Sequence, residues 1–239
     1  MSLFDTGHVA QLHEIQRSRL KSGQPGIGLE VEELIARLTS GGVAGKAVDD
    51  RTRFAKVLWD LGFGRELKIK TFKAYLATIP EIPESLLGHD DDLPLLSLAD
   101  PRLGLVVACR LIGIKHEDFG YKEGDAVPFD DRFKDSVTPF WFRHDDGRKN
   151  RNERPDSCRE ANTGDTLVGT AMVGIMAYVH HKEIIREGEH VIDLPGSVGR
   201  QNRGGCAYLK VWDGQVELDL SRNADSASPN CGSMRVRRK

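Results

Sequence analysis

Cysteine and histidine side chains are the first residues in this sequence whose types could support chemistry. Five of them could converge on a tetrahedral metal site: Cys158, His180, His181, Cys206 and Cys231. Structural zinc sites take their ligands in local pairs, and no two cysteines of this chain are close in sequence. We therefore expect no metal and no cofactor, and we interpret the cysteines as small buried thiols.

Nucleophilic catalysis is an alternative use of the same side chains. Ser197 or Cys206 could be activated by one of three histidines, His180, His181 and His190. The segment around Ser197 lacks the Gly-x-Ser-x-Gly pattern that exposes a hydroxyl in α/β-hydrolases. A chain with 8 histidines offers such combinations by chance. We therefore favour a non-catalytic binding or accessory protein and keep a hydrolase-like enzyme as an alternative.

Basic residues cluster in two places and raise the alternative of nucleic-acid or phosphate binding. One cluster runs from Arg143 to Arg159, and the other is the basic tail, residues 235–239. Phe140, Trp141 and Phe142 adjoin the first cluster, where a platform for stacked bases would lie. Acidic residues are interspersed there, however, and the chain has a formal net charge of −2. The pattern favours a solvated turn beside core aromatics.

Polar residues at predicted strand ends indicate a further possibility, a pocket for a small polar ligand. Four of them fall at turns or ends of the predicted C-terminal sheet, where they either cap the backbone or line a cleft: Asp193, Ser197, Cys206 and Ser233. If these face one surface with Trp141 and Arg159, the guanidinium and the aromatic ring could recognise a carboxylate or a base. These six residues are the candidate ligand site.

Composition places the chain among ordinary soluble domains. It has 239 residues, of which 39% are hydrophobic and 29% are charged, enough for one large or two small folding units. No secretory signal pattern opens it, and its most apolar run, 166–179, is shorter than the roughly 20 residues that cross a bilayer. We expect a cytoplasmic protein without membrane contact, whose partner is either a protein or a small polar ligand.

Hydrophobic spacing predicts an α+β fold. Helical patterns cover four segments: 5–21, 29–38, 50–61 and 67–78. Later segments are predicted as strands (103–108, 137–142 and 191–194), a short helix (155–161) and a hairpin of 207–212 with 215–220. The predicted organisation is a helical region (1–85), a connector with the acidic run 90–92 (86–102) and an α+β domain (103–239).

An apolar helix at 165–181 is expected to be the buried support on which an antiparallel sheet packs. Its buried positions are predicted to be Met172, Ile175, Met176 and Val179. In the second arm of the hairpin, alternation predicts a buried face with Val216, Leu218 and Leu220 and a face in water with Gln215, Glu217, Asp219 and Ser221.

A set of short segments between residues 100 and 235 carries a resemblance. They are Pro139-Phe140-Trp141, Asp146-Gly147, Cys158-Arg159-Glu160, Thr170-Ala171, Asp193-Leu194-Pro195-Gly196-Ser197, Gly205-Cys206 and Gly232-Ser233. Together they resemble a family of uncharacterised bacterial proteins with no assigned function. The resemblance implies the order strand, strand, helix, strand, hairpin, and it implies nothing about activity.

Overall fold

A computed structural model describes residues 49–116 and 122–238 of the chain. Its helices are α1 (Asp50–Asp60), α2 (Phe63–Glu66), α3 (Phe72–Leu76), α4 (Gly104–Ile112), α5 (Pro155–Ala161) and α6 (Ala171–His180). Its strands are β1 (Leu95–Ala99), β2 (Ala126–Pro128), β3 (Phe140–His144), β4 (Leu167–Val168), β5 (Val191–Leu194), β6 (Ser197–Gly199), β7 (Gly205–Trp212), β8 (Gln215–Asn223), β9 (Cys231–Ser233) and β10 (Arg235–Arg238). The helices predicted at 5–21 and 29–38 lie outside the described residues.

These strands form three sheets. Sheet A has the order β1-β3-β10-β4, sheet B has the order β8-β7-β5-β9, and sheet C consists of β2 and β6. Neighbouring strands are antiparallel, except that β5 and β9 run parallel. The predicted α+β class is therefore confirmed. None of the helices in the described part of the chain is both long and apolar enough to cross a membrane.

Helix α6 is the central element of the hydrophobic core. It packs against β1 of sheet A and against β5 and β7 of sheet B. The four positions predicted to be buried are buried: Met172, Ile175, Met176 and Val179. The helix is shorter than predicted because residues 167–168 form β4, and Thr170 Oγ1 then caps the helix by accepting a hydrogen bond from Val173 N at 3.2 Å.

Residues N-terminal to sheet A pack into this same core. Phe54 and Leu58 of α1 and Tyr75 of α3 belong to one hydrophobic cluster with α6. The Tyr75 hydroxyl donates a hydrogen bond to Asp100 Oδ2 at 2.8 Å. The predicted helix at 67–78 is confirmed only over α3, because residues 67–70 form the turn that follows α2.

The segment 103–108 forms a helix and not the predicted strand. Its β-branched residues suggested a strand, but α4 covers Gly104–Ile112. The carboxylate of Glu123 accepts hydrogen bonds from Leu105 N at 3.2 Å and Val106 N at 2.9 Å. A carboxylate in this position satisfies free N–H groups of a helix N-terminus and complements the helix dipole. The stabilising residue is distant in sequence, so local composition could not reveal it.

The predicted connector and the predicted basic tail are both parts of sheet A. The connector segment 86–102 contains β1, which pairs with β3. Residues 235–238 of the tail form β10, which lies between β3 and β4. The tail is therefore an interior strand, and the domain boundaries proposed from the sequence stay predictions.

The predicted hairpin is confirmed as β7 and β8, and of the four side chains predicted to face water, Gln215 and Ser221 are exposed. Asp213 and Gly214 adopt φ of 50° and 68°, as a two-residue turn between antiparallel strands requires. Glu217 and Asp219 were expected in water, yet both are buried. Glu217 pairs with Lys210 at 3.3 Å, and Asp219 accepts a hydrogen bond from the Tyr208 hydroxyl at 2.9 Å. These partners make their burial possible.

Gly232 and Gly147 mark a close approach of two backbone segments. A β-carbon on Gly232 would overlap the carbonyl group of Gly147. We expect Gly232→Ala to lower the free energy of unfolding by about 1–3 kcal/mol, measured by urea denaturation. Gly204→Ala is the matched control, because a β-carbon there meets Asn202 Oδ1 at an ordinary 3.7 Å. Equal stability of the two variants would contradict this prediction.

Candidate ligand site around Arg159 and Asp193

Four of the six predicted ligand residues lie together between α5 and sheet B. Asp193 on β5 and Ser233 on β9 are direct partners in the parallel strand pair, so their side chains share one face of sheet B. Helix α5 packs against β9 and contributes Arg159. We call this group the Arg159–Asp193 cluster and define it by its members: Arg159, Asp193, Cys206 and Ser233, with Cys158 and Arg222.

The other two predicted residues have different roles. Trp141 lies on β3 of sheet A, where its Nε1 donates a hydrogen bond to Pro80 O at 2.9 Å and its ring packs edge-on against Phe54. Trp141 also lines a separate cleft of about 560 Å³. Ser197 lies on β6, and its Oγ accepts a hydrogen bond from Ala171 N at 2.9 Å, so it helps to cap α6.

Arg159 is a buried cation that forms no ion pair with the described carboxylates, although the charges of Asp130 and Asp156 act on it from a longer distance. Its side chain donates one hydrogen bond, from Nε to Pro195 O at 2.8 Å, while Nη2 is buried without a partner. Among the described residues, no carboxylate lies within 4.0 Å of its guanidinium. Burial lowers the pKa of Arg159 from its usual value, but a guanidinium stays protonated in proteins. A buried charge without a paired group is strongly unfavourable.

Phe129 covers the guanidinium of Arg159. The distance from Arg159 Cζ to the centre of the Phe129 ring is 3.7 Å. Such a stacked position gives the cation some stabilisation from the π-electrons of the ring. The aromatic ring next to Arg159 is thus Phe129, whereas Trp141, expected on the same surface as Arg159, lies on β3 of sheet A.

Asp193 and Ser233 add two more buried oxygen atoms that lack hydrogen bonds. Asp193 Oδ1 accepts a hydrogen bond from Arg222 Nε at 3.1 Å, whereas Asp193 Oδ2 has no partner. Burial raises the pKa of Asp193 to about 6 in spite of Arg222. Ser233 Oγ makes no well-formed hydrogen bond, although it is close enough to the Cys158 thiol to favour the thiolate. In the described part of the chain, four buried side-chain nitrogen or oxygen atoms lack a hydrogen-bond partner, and three of them belong to this cluster.

The cluster carries one positive charge in excess. Burial raises the pKa of both Cys158 and Cys206, so these thiols are neutral. Of its two guanidinium groups, Arg222 is paired with the one carboxylate of the cluster, Asp193, whereas the carboxylates whose charges act on Arg159 are Asp130 and Asp156, outside the cluster. The cluster resembles a binding site for an anion more closely than a site for a cation.

Two residues that contact the predicted ones, Arg222 and Phe129, were not predicted from the sequence. Arg222 belongs to β8 and reaches Asp193 across the sheet, and its Nη2 also donates a hydrogen bond to Ser226 O at 2.7 Å. Phe129 follows β2, a strand of three residues that left no periodic pattern. No signal in the sequence connects either residue with Arg159, because the contacts depend on how distant segments pack.

The three histidines considered as catalytic bases point to backbone carbonyl groups. His180 Nε2 lies 3.0 Å from Leu98 O, and His181 Nε2 lies 2.9 Å from Leu96 O. His190 Nε2 lies 2.6 Å from Asp146 O. In the described residues, no group of three or more His, Cys, Asp or Glu side chains is arranged to hold a metal ion.

Each of the two basic segments contains side chains that are paired with carboxylates of the chain itself. Lys149 and Arg235 lie near the same acidic side chain, Asp92, at 3.0 and 3.9 Å. The other pairs are Arg148 with Asp146, Arg154 with Asp156, Arg235 with Asp145, Arg237 with Asp90 and Arg238 with Asp135. The acidic run 90–92 is therefore a partner of the basic strand β10. Phosphate groups would have to compete with these carboxylates.

Comparison with known proteins assigns no function to the chain. No family model, curated protein or solved structure matches it. The resemblance to a family of uncharacterised bacterial proteins therefore stays a prediction. Function has to be inferred from the Arg159–Asp193 cluster itself.

Proposed function

We propose that this protein is a non-catalytic binding protein that holds a small anionic ligand at the Arg159–Asp193 cluster. The observation that carries the proposal is the buried guanidinium of Arg159, which has no carboxylate within 4.0 Å among the described residues. A buried cation of this kind gains most from an added negative partner. An external anion would supply that partner.

The free edge of the Arg159 guanidinium suits a carboxylate. Nε is occupied by Pro195 O, so the end formed by Nη1 and Nη2 is the part that can bind a ligand. A guanidinium edge and a carboxylate form two parallel hydrogen bonds, and this geometry gives both affinity and orientation.

Access to the cluster requires a movement of Phe129. The unpartnered atoms of the cluster are closed to solvent, whereas Phe129 is only half-buried. Phe129 is held by a hydrogen bond from its own N to Gly196 O at 2.9 Å and by Arg203, which donates to its carbonyl oxygen. The ring also packs against Phe133, with 6.5 Å between the ring centres, so this contact has to open as well.

Side chains near the cluster favour binding over chemistry. The thiol of Cys206 is neutral and buried, which makes it a poor nucleophile. The Ser197 hydroxyl already accepts the Ala171 N–H, and each candidate base donates a hydrogen bond from Nε2 to a backbone carbonyl oxygen. A cytoplasmic location stays part of the proposal.

Titration calorimetry with sodium acetate tests the proposal. We expect one acetate per chain, with a dissociation constant in the range of about 0.1–10 mM, because a ligand of four heavy atoms gains little binding energy. Arg159→Lys keeps the positive charge but loses the planar edge, so it is expected to weaken acetate binding at least about tenfold.

Arg154→Lys is the matched control for this titration. Arg154 precedes the same helix, α5, but is exposed and paired with Asp156. The Arg154→Lys variant is expected to bind acetate with the same affinity as the wild type. Absence of saturable acetate binding by the wild type, or equal affinity of the wild type and Arg159→Lys, would contradict the proposed function.

A further inference from the structure

A second guanidinium group lies at the ring that covers Arg159. Arg203 Cζ is 5.7 Å from the centre of the Phe129 ring, and Arg159 Cζ is 3.7 Å from the same point. Because both distances end at one point, the two guanidinium groups lie within the length of one small molecule. Arg159 is buried, whereas Arg203 is exposed on the loop between β6 and β7. A ligand that takes the place of the Phe129 ring therefore meets both groups.

We propose that the ligand is a short dicarboxylate, with one carboxylate on the free edge of Arg159 and the other on Arg203. This inference rests on the proposed function and names the class of ligand at the same site. A guanidinium group binds a carboxylate through hydrogen bonds of about 2.8 Å. A dicarboxylate with one or two carbon atoms between its carboxylates, hydrogen-bonded in this way at each end, matches the span between the two guanidinium groups.

Arg203 has a positive charge that no described carboxylate compensates. Its Nη2 donates a hydrogen bond to the carbonyl oxygen of Phe129, and no carboxylate of the described residues lies within 4.0 Å of its guanidinium. A carbonyl oxygen accepts a hydrogen bond but has no net charge. Arg203 can therefore form an ion pair with a ligand without breaking an internal one.

The two carboxylates whose charges act on Arg159 are already paired with other arginines. Asp130 Oδ2 accepts hydrogen bonds from Arg132 Nε at 3.1 Å and Nη2 at 2.8 Å. Asp156 Oδ1 accepts a hydrogen bond from Arg154 Nε at 3.0 Å. Each of these pairs is neutral as a whole. The positive charges left for a ligand are those of the two guanidinium groups of the proposed site, and a dianion compensates both.

Malonate and propionate, compared by titration calorimetry with the full-length protein, test this inference. The two anions have carbon chains of the same length, but malonate carries a second carboxylate in place of the methyl group. At neutral pH and constant ionic strength, we expect the wild type to bind malonate about fivefold more tightly than propionate. This factor corresponds to one well-formed ion pair with an exposed arginine.

Arg203→Gln removes the proposed second contact, and Arg200→Gln is the matched control. The preference for malonate is expected to fall from about fivefold to about one in Arg203→Gln. A weaker hold on Phe129 would change both affinities alike, so the ratio is the measured quantity. Arg200 is exposed on the same loop, but its Nε donates to Gly124 O at 2.9 Å, at the end of sheet C away from Phe129. Arg200→Gln is expected to keep the preference.

The possible outcomes separate the two proposals. Binding of malonate and propionate with equal affinity by the wild type would overturn the dicarboxylate inference and leave the anion site intact. A malonate preference that survives in Arg203→Gln, or that is lost equally in Arg200→Gln, would also overturn it. Absence of binding for acetate, propionate and malonate would overturn both proposals. Thermal unfolding of the two variants checks that each keeps the fold, and the wild-type ratio decides without them.

Discussion

Met176→Asp is expected to abolish the cooperative fold at room temperature. Met176 is completely buried in α6, and this helix lies between β1 of sheet A and β5 and β7 of sheet B. A carboxylate in this position would lose its hydration without gaining a partner, at a cost of several kcal/mol. Typical domains have only about 5–15 kcal/mol of stability in total, so the substitution removes most of it.

Circular dichroism and urea denaturation measure this effect, and Met176→Leu provides the control. Leucine conserves the apolar character and nearly the volume, so the control is expected to lose less than about 1.5 kcal/mol. A Met176→Asp variant with the thermal stability of the wild type would show that α6 is not the central element of the core.

Acidification from pH 7 to pH 5 is expected to remove about 4 kcal/mol of stability through two buried imidazoles. Burial lowers the pKa of both His144 and His180 to about 3. The unfolded chain has histidine pKa values of about 6.5, so it takes up protons first as the pH falls. The contribution of the neutral rings is complete above about pH 6.5 and is lost progressively toward pH 3, by about 2 kcal/mol per ring at pH 5.

Asp193 changes the stability in the opposite direction from the two imidazoles when the pH falls. Its pKa of about 6 in the folded protein lies above the value of the unfolded chain, so its ionised form destabilises the fold at pH 7. Protonation relieves this penalty as the pH falls through 6, by about 1 kcal/mol between pH 7 and pH 5. Burial also raises the pKa of Asp135, which adds to the offset. The two imidazoles still dominate the pH dependence.

Urea denaturation at pH 7 and pH 5 measures this balance. Lower stability at pH 5 is the expected result. His89→Gln is the control, because His89 is 80% exposed and should leave the difference unchanged. Equal or higher stability at pH 5 would mean that His144 and His180 do not remain neutral in the folded protein.

Elements that depend on nearby residues could be predicted from the sequence. The hairpin β7–β8 follows from alternation around Asp213-Gly214, and α6 follows from a continuous apolar run. In both cases, the turn residues or the apolar side chains that decide the structure lie within the element. The tertiary contacts of these two elements reinforce a structural preference that their own residues already have.

Elements that depend on distant partners could not be predicted. The basic strand β10 appeared to be a solvated tail, because its partners lie far away in sequence. Arg235 N donates to Asp145 Oδ1 at 2.9 Å, and Arg237 Nη1 pairs with Asp90 Oδ2 at 2.6 Å. Likewise, Glu123 caps α4 from outside the helix.

Only part of the candidate site could be predicted, because the rest of it also depends on residues that are distant in sequence. Polar residues at strand ends indicated Asp193 and Ser233, and the register of the parallel pair β5–β9 brings them together. The sequence could not show that Phe129, rather than Trp141, lies against Arg159. That contact depends on sheet C, whose short strands leave no periodic pattern.

The most direct test of the account is an acetate titration of ¹⁵N-arginine-labelled protein, followed by NMR at the Nε–H resonance of Arg159. The bond from this group to Pro195 O should protect it from exchange, and Arg159→Lys identifies its signal. We expect this resonance to shift saturably, while those of exposed arginines such as Arg154 change little. An Arg159 resonance that does not respond to acetate would contradict the claim that its buried guanidinium is an anion site.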